Sequence, residues 1–223
     1  MTDFKLECVL FDLDGTLVDT APDLIACLNR TLAAHGFAEI DPATVKPAIS
    51  RGAMAMIRQA VTVDEATAQT MLSDMLDAYQ ANIAEHSRFF DGIGDCLDAI
   101  ETAGLKWGVV TNKKQRFTSP LLRALALDTR VACVVSGDTT AFSKPHPEPM
   151  FEACRLAGVT PERCVYIGDA PHDIAAGKNA RMKTLAALYG YLNSDDQPDT
   201  WGADAMIEHP RQLTQWIQTS LCH

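Results

Sequence analysis

The chain has 223 residues, of which 47% are hydrophobic, so it is long and apolar enough to bury a sizeable core. Its 29 acidic and 19 basic side chains give a net charge of −10, which excludes a nucleic-acid-binding surface because such a surface needs a basic patch. The N-terminus lacks the basic start and apolar stretch of a signal peptide, and no segment approaches the roughly 18 apolar residues of a membrane span. We therefore expect a soluble, cytoplasmic protein, a monomer or a homodimer, that binds neither nucleic acid nor membrane. The acidic balance still permits small anionic substrates, because a metal ion or a few lysines can invert the field of one site.

The cysteines favour the same location. Seven are present, an odd number, and none forms a CxxC pair. They stand at positions 8, 27, 96, 133, 154, 164 and 222. Several lie in apolar runs, where a free cysteine behaves as a small buried hydrophobic residue. This pattern indicates free thiols in a reducing compartment rather than a disulfide scaffold.

Short apolar segments rich in strand-forming residues recur along the chain and alternate with segments of helical spacing. The predicted strands are 8–11, 107–110, 133–135, 165–167, 184–188 and 205–207. Such strands, apolar without alternation, are typical of a parallel sheet that is covered on both faces. We therefore predict an α/β fold, with a Rossmann-like, doubly wound, mostly parallel sheet.

The distance between the first two strands is far larger than one crossover helix needs. We predict that residues 17–86 form a small all-helical domain inserted into the α/β core, which consists of residues 1–16 and 87–223. Thr20 and Thr62 are the expected N-caps of two of its helices. Met71, Met75 and Tyr79 follow at helical spacing and are expected to pack between helices. Residues 17–86 are called the helical insert below.

Polar side chains stand at the ends of four predicted strands. The first strand ends in Asp12 and Asp14, and the second ends in Thr111 and Asn112. Lys144 follows the third strand, and Asp169 and Asp173 follow the fourth. The carboxyl ends of parallel strands lie along one edge, where ligands bind, so these groups are expected to converge. An all-oxygen cluster of carboxylates indicates a hard cation, and Mg²⁺ is the natural choice beside a phosphate.

At this point the chain resembles a known family. The segments FDLDGTLVDT, TNK, SKP and GDAPHD resemble the four ordered motifs of the haloacid dehalogenase superfamily, and the helical insert resembles the C1-type cap of that family. The resemblance implies that Asp12 is the nucleophile and also a Mg²⁺ ligand through its other oxygen. It implies that Asp14 is the general acid and then the general base, and gives its backbone carbonyl to the metal.

The same resemblance assigns roles to the other strand ends. It implies that Thr111 and Lys144 hold the phosphoryl oxygens, with Asn112 beside them in substrate binding. Asp169 is implied to ligate Mg²⁺ directly, and Asp173 to support the metal directly or through water. Many relatives carry a hydroxyl residue where this chain has Ala170, a departure that we expect the site to tolerate.

The second aspartate distinguishes between activities in the family. A halide leaves without a proton, whereas an alkoxide needs one, so Asp14 favours a phosphate ester over a haloacid. The phosphonatase branch uses a cap lysine, and Lys46, which precedes a proline, is the only lysine of the helical insert. We predict a Mg²⁺-dependent phosphatase. A phosphomutase of the same superfamily and a phospho-receiver domain are the alternatives, and the inserted domain opposes the latter.

The substrate is expected to depend on the helical insert. Arg51 and Gly52, in the segment SRGAMAMI, suit an anion, although Arg51 could equally be a surface charge. We expect His172 to be a solvated loop residue rather than a substrate contact. The chain resembles the phosphoglycolate phosphatase-like group. Within that group it is similar to the phosphatases of N-acetylmuramic acid 6-phosphate that serve cell-wall recycling, in the segments WGVVTNK, SKPHPEP, SRGAMAMI and YGYLNSDDQPDTWGADAMIEHP. The expected substrate is therefore a small carboxylated phosphate ester, N-acetylmuramic acid 6-phosphate first and 2-phosphoglycolate as the alternative.

Overall fold

The computed structural model describes residues 4–221 and contains the predicted parallel sheet. The strands of the described residues are β1 (Cys8–Phe11), β2 (Val18–Asp19), β3 (Arg88–Phe89), β4 (Lys106–Val110), β5 (Cys133–Val135), β6 (Cys164–Gly168), β7 (Lys183–Ala187) and β8 (Ala205–Ile207). Six of them form one sheet in the order β5-β4-β1-β6-β7-β8, and each neighbouring pair is parallel. The order grows outwards in both directions from β1, which is the doubly wound arrangement that the sequence predicts.

Helices cover the sheet and form most of the helical insert. They are α1 (Ala21–Ala34), α2 (Pro42–Val45), α3 (Ala53–Ala60), α4 (Glu65–Ala81), α5 (Ile93–Thr102), α6 (Gln115–Ala124), α7 (Glu148–Ala157), α8 (Pro171–Asn179) and α9 (Pro210–Leu221). Short 3₁₀ segments occupy Lys46–Arg51, Pro161–Arg163 and Pro198–Thr200. Among the residues that the structure describes, no helix is both long and apolar enough to cross a membrane.

The central strand β1 is buried on both faces. Val9 and Phe11 point into one hydrophobic cluster, which α5 and α9 help to form, while Cys8 and Leu10 point into a second one with residues of α7 and α8. This alternation is the period of two that a strand imposes on its side chains. The six described cysteines are all free and buried, as predicted; Cys222 lies outside the described residues.

The helical insert has a hydrophobic cluster of its own, built mainly from α1, α3 and α4. Met71, Met75 and Tyr79 are buried in it, which confirms the packing role predicted for this stripe. The cluster also includes Phe117 and Tyr191, which belong to the sheet-bearing part of the chain. The helical insert therefore packs against the part of the chain that contains the sheet.

The two N-cap predictions for the insert need correction. The prediction of Thr62 as a cap is wrong: α4 starts at Glu65, and the carboxylate of Asp64 accepts the N–H of Thr67. Thr20 does precede α1, but its hydroxyl caps no backbone group and donates to Asp14 instead. The Thr20 hydroxyl, which we expected to cap helix α1, thus forms a hydrogen bond within the candidate site.

The start and the end of the insert are held side by side. Strands β2 and β3 pair antiparallel, so the chain leaves and re-enters through one narrow ribbon. The buried carboxylate of Asp23 accepts the backbone N–H groups of His86 and Ser87 at 2.8 and 2.9 Å, and also the Ser87 hydroxyl. These bonds satisfy a buried charge and fix the two ends of the insert together.

Candidate active site

Asp12 and Asp14 stand immediately beyond the carboxyl end of β1, in the middle of the sheet. The Asp12 N–H donates to the carbonyl of Ile167 at 2.8 Å, which extends the strand pairing by one residue. The chain then turns at Gly15, whose φ of +87° is one that L side chains rarely adopt. A Cβ at this position would also overlap the carboxylate of Asp169. Glycine is therefore required both for the turn and for the close approach of the two strand ends.

Lys144 is the positive centre of the site. Its Nζ lies 2.7 Å from Asp12 Oδ1 and 2.7 Å from Asp173 Oδ1, and it donates to the Tyr166 hydroxyl at 2.8 Å. The Lys144 side chain is only 1% exposed. Burial alone would lower the pKa of this ammonium group, but the two carboxylates outweigh it and raise the pKa, so Lys144 remains charged.

Asp12, Asp169 and Asp173 form a buried group of three carboxylates. Each offers one oxygen, and these oxygens lie within 4.8 Å of one another. Burial raises the pKa of Asp12 despite the opposing effect of Lys144, and burial together with the charges of Asp12 and Asp173 raises the pKa of Asp169 to about 8. The raised pKa values mean that three carboxylates beside one lysine cannot all be ionised at low cost unless a cation binds, and their oxygens are the ligands that Mg²⁺ prefers. The residues present therefore fit a hard divalent cation.

Asp14 has different partners from the other acids. Its Oδ1 accepts the Thr20 hydroxyl at 2.5 Å and pairs with the Nζ of Lys113 at 2.9 Å. The Lys113 ammonium also lies 4.5 Å from the centre of the Tyr79 ring, which belongs to α4 of the insert. Asp14 therefore has its own hydrogen-bonding partners, at the boundary between sheet and insert.

The strand β4 brings the two other predicted phosphate-site residues to the same edge. Thr111 is buried, and its hydroxyl accepts the N–H of Lys113 at 3.2 Å. The Asn112 side chain makes two hydrogen bonds to the backbone of Lys144: its oxygen accepts the Lys144 N–H at 3.0 Å, and its nitrogen donates to the Lys144 carbonyl. Asn112 thus fixes the loop that carries Lys144, and a contact between Asn112 and substrate stays a prediction.

The helical insert reaches this edge through Ser50. The Ser50 hydroxyl donates to Asp169 Oδ2 at 3.1 Å, and the same oxygen accepts the backbone N–H of Tyr191 at 2.8 Å. Arg51 and Gly52, which the sequence favours as anion contacts, are exposed, and the Arg51 side chain makes no hydrogen bond or ion pair within residues 4–221. The helical insert therefore contacts Asp169 through Ser50, which directly precedes the predicted contact residue Arg51.

Tyr191 connects the site to the ribbon at which the insert begins. Its hydroxyl donates to Asp19 Oδ1 at 2.8 Å and accepts the N–H of Ala21 at 2.9 Å. Its backbone N–H is one of the groups that donate to Asp169. One residue thus joins a carboxylate of the site, strand β2 and the start of α1.

Helix α8 carries Asp173 and His172 in its first turn and so fixes the position of both side chains. Asp173 lies in the first turn of α8, where its Oδ2 accepts the N–H of Ala170 at 3.1 Å. His172 is not the solvated loop residue we expected, because it lies in the same turn and its side chain is only 24% exposed. Its Nε2 is 3.8 Å from Asp173 Oδ1, and burial lowers the pKa of the imidazole.

Sequence reasoning assigned no site role to several residues that contact the site. Among them are Thr16, Ser50, Lys113, Tyr166 and Tyr191. Ser50 and Lys113 lie within the quoted segments SRGAMAMI and TNK, and Tyr166 lies within the predicted strand 165–167, so their place in these segments was the signal available. Tyr191 lies in the loop after β7, within the segment YGYLNSDDQPDTWGADAMIEHP that carries part of the resemblance, but the resemblance assigns it no role in the site.

Comparison with known proteins agrees with this geometry. The family model described as haloacid dehalogenase-like hydrolase matches residues 9–187. The chain is 43% identical to an N-acetylmuramic acid 6-phosphate phosphatase of Pseudomonas aeruginosa, over 100% of this chain and 99% of that protein. It is also 43% identical to a phosphoglycolate phosphatase of Xylella fastidiosa, over 93% of this chain and 91% of the relative.

A solved structure matches over almost the whole chain. It is the crystal structure of a predicted phosphoglycolate phosphatase from Haemophilus somnus 129PT, with a TM-score of 0.85 and 27% sequence identity. The match covers 98% of this chain and 100% of the other. With four ordered motifs on one sheet edge and relatives that match from end to end, the chain belongs to the haloacid dehalogenase-like hydrolase family and is one of its phosphatases.

Proposed function

We propose that the protein hydrolyses a small phosphate monoester through an aspartyl-phosphate on Asp12, with Mg²⁺ as cofactor. The observation that carries this proposal is the buried contact of Lys144 Nζ with Asp12 Oδ1 at 2.7 Å, next to two further carboxylates. Lys144 engages one oxygen of Asp12, whereas Asp12 Oδ2 has no hydrogen-bond partner among the described residues. A carboxylate oxygen can attack phosphorus directly when nearby positive charge offsets the repulsion of the phosphate.

Asp14 is proposed to manage the proton of the reaction. In the first step a protonated Asp14 is required: an oxygen of Asp12 bonds to phosphorus, the P–O bond to the alcohol breaks, and the leaving oxygen takes the proton from Asp14. In the second step water attacks phosphorus and gives a proton to Asp14, and the bond between phosphorus and Asp12 breaks, which releases phosphate. The support is positional: residues two apart at the end of a strand address the same place, and only Oδ1 of Asp14 is occupied by Thr20 and Lys113.

The phosphoryl oxygens are proposed to rest on Thr111 and Lys144, and the cation on Asp12, Asp169 and Asp173, with the Asp14 backbone carbonyl. When bound, Mg²⁺ supplies positive charge that neutralises the transferring phosphoryl group. This assignment is supported by the burial and closeness of all three carboxylates, whose mutual repulsion a cation would relieve.

We propose that the helical insert, residues 17–86, acts as a cap that selects the ester. Its contact with Asp169 through Ser50 and the packing of Tyr79 on Lys113 support this role, because both contacts join the insert to groups of the site. Arg51 and Gly52 remain the proposed contacts for a second substrate anion. We further propose a cytoplasmic location, supported by the free, buried thiols of the described residues.

N-acetylmuramic acid 6-phosphate is the proposed substrate, and 2-phosphoglycolate is the alternative. Relatives named for each substrate are equally identical to this chain, at 43%, but the one named for the muramic acid ester matches over its whole length. Both esters carry a carboxylate, so a charged partner such as Arg51 does not separate them. Measurement of kcat/KM for the two esters decides between them, and a much higher value for 2-phosphoglycolate would reverse the preference.

The proposed chemistry is tested with Asp12→Asn. We expect no turnover of either ester, while thermal unfolding shows that the variant folds. EDTA should silence the wild-type enzyme, and added Mg²⁺ should restore it. Near-wild-type phosphate release by Asp12→Asn would refute the nucleophile, and full activity in excess EDTA would refute the metal.

A further inference from the structure

The phenol of Tyr166 occupies a fully buried position beneath the charged groups of the site. Tyr166 belongs to β6, and none of its surface is exposed. Its Oη lies 2.8 Å from Lys144 Nζ, 2.8 Å from the carbonyl oxygen of Val110 and 3.3 Å from Asp173 Oδ1. A buried hydroxyl with this many polar neighbours is fixed in place, because each bond lost there costs free energy.

The direction of these hydrogen bonds follows from counting protons. A phenol has one proton to donate, and a carbonyl oxygen can only accept. The contact with Val110 is shorter than that with Asp173, so the Tyr166 proton goes to Val110. The oxygen of Tyr166 is then an acceptor, and Lys144 is the donor to it.

Lys144 consequently has all three of its protons assigned. One goes to Asp12 Oδ1, one to Asp173 Oδ1 and one to Tyr166. The two carboxylates attract the ammonium group by charge, whereas the neutral phenol accepts the third N–H and so fixes the orientation of the group. Without the phenol, one N–H would be unpaired in a site where the lysine side chain is 1% exposed.

The same hydroxyl connects strands that β1 separates. Tyr166 lies on β6 and Val110 is the last residue of β4, and these strands flank β1 on its two sides. The strand β1 carries Asp12, and Val110 directly precedes Thr111. The position of the lysine is therefore set relative to both neighbouring strands at once.

We infer that Tyr166 is a positioning residue, whose hydroxyl holds Lys144 on Asp12 Oδ1 and so keeps Asp12 Oδ2 directed to the phosphoryl group. The inference rests on the proposed roles of Asp12 and Lys144. It adds a neutral member to a group of otherwise charged residues, and it acts through Lys144 rather than on the substrate.

The test compares Tyr166→Phe with Ile167→Val, a control on the same strand that loses a buried methyl group but no hydrogen bond. We expect Tyr166→Phe to lower kcat for p-nitrophenyl phosphate by about ten- to a hundredfold, as the loss of a supporting hydrogen bond does at comparable sites. The KM should change much less than kcat, since the phenol does not touch the substrate. Ile167→Val should keep its kcat within about twofold of the wild type.

A second measurement, in the Lys144→Arg variant, tests whether the Tyr166 hydroxyl acts by positioning Lys144 or only by stabilising the protein. Lys144→Arg keeps the charge but cannot reproduce the three contacts, so adding Tyr166→Phe to it should cost less than threefold. Equal losses in the two backgrounds would overturn the inference, as would a Tyr166→Phe enzyme with wild-type kcat, or one that fails to fold. If the Lys144→Arg enzyme has wild-type activity, the proposed role of Lys144 is wrong, and the inference about Tyr166 fails with it. If Lys144→Arg is impaired but Tyr166→Phe has wild-type activity, only the inference about Tyr166 is rejected.

Discussion

Lys113 and Asp14 form a largely buried ion pair, with 2.9 Å between Nζ and Oδ1 and side chains that are 8% and 16% exposed. Lys113 is held from the other side by the Tyr79 ring, so a residue of the helical insert supports the orientation of an acid of the sheet. Of the two adjacent lysines after β4, only Lys113 faces the site, because Lys114 is exposed.

Replacement of Lys113 by Met should therefore disturb the position of Asp14 and so slow the reaction that is proposed to depend on it. A buried hydrogen bond between charged groups contributes about 1.5–3 kcal/mol, so we expect kcat for an alkyl phosphate to fall by roughly ten- to a hundredfold. Lys114→Met is the matched control and should leave steady-state kinetics unchanged. Equal effects of the two substitutions would mean that the ion pair has no part in the reaction.

Asp14→Asn should show a dependence on the leaving group. Asparagine cannot donate the proton that an alkoxide needs, and general acid catalysis contributes about 10²- to 10⁴-fold. We expect a loss of that size for an alkyl ester and a much smaller one for p-nitrophenyl phosphate, whose phenolate leaves more easily. The ratio of kcat values for the two esters measures this; an unchanged ratio would contradict the assignment of the proton to Asp14.

Asp169→Asn should uncouple stability from activity. Removing one of three neighbouring buried acids relieves repulsion, while the amide oxygen can still accept from Tyr191 and Ser50. The metal-free variant should therefore melt no lower than the metal-free wild type. At 100-fold excess over its dissociation constant, a ligand adds about 2.7 kcal/mol, so Mg²⁺ should raise the wild-type Tm by roughly 5–10 °C.

The variant should lose that Mg²⁺-dependent rise together with its activity. Scanning calorimetry with EDTA and with Mg²⁺ provides all four Tm values. A variant that Mg²⁺ stabilises as much as the wild type would show that Asp169 is not a ligand.

Ser50→Ala should weaken the use of Mg²⁺ although Ser50 is in the helical insert. The substitution removes one of the two donors to Asp169 Oδ2. Loss of a hydrogen bond to a metal-binding carboxylate typically costs 10- to 100-fold in metal affinity, so we expect about a tenfold higher half-saturating Mg²⁺ concentration. Ser50→Thr keeps the hydroxyl and should stay close to the wild type, whereas a Thr variant as weak as the Ala variant would attribute the effect to packing.

Much of the fold could be predicted because its signals are local. The predicted strands 133–135 and 205–207 coincide with β5 and β8, since runs of apolar residues between turns report burial directly. Asp12, Asp14, Thr111, Lys144, Asp169 and Asp173 could be found because strand ends in a parallel sheet share one edge.

What the sequence by itself determined is which strands form and which polar groups they bring to that edge. Only the tertiary structure decided which of two neighbouring side chains faces the site: Lys113 rather than Lys114, and Ser50 rather than Arg51. It also decided that the Thr20 hydroxyl donates to Asp14 and does not cap helix α1. The physical reason is that such choices depend on packing between the helical insert and the sheet. Two neighbouring residues of similar chemistry look alike in the sequence, and the contacts that distinguish them come from segments far away along the chain.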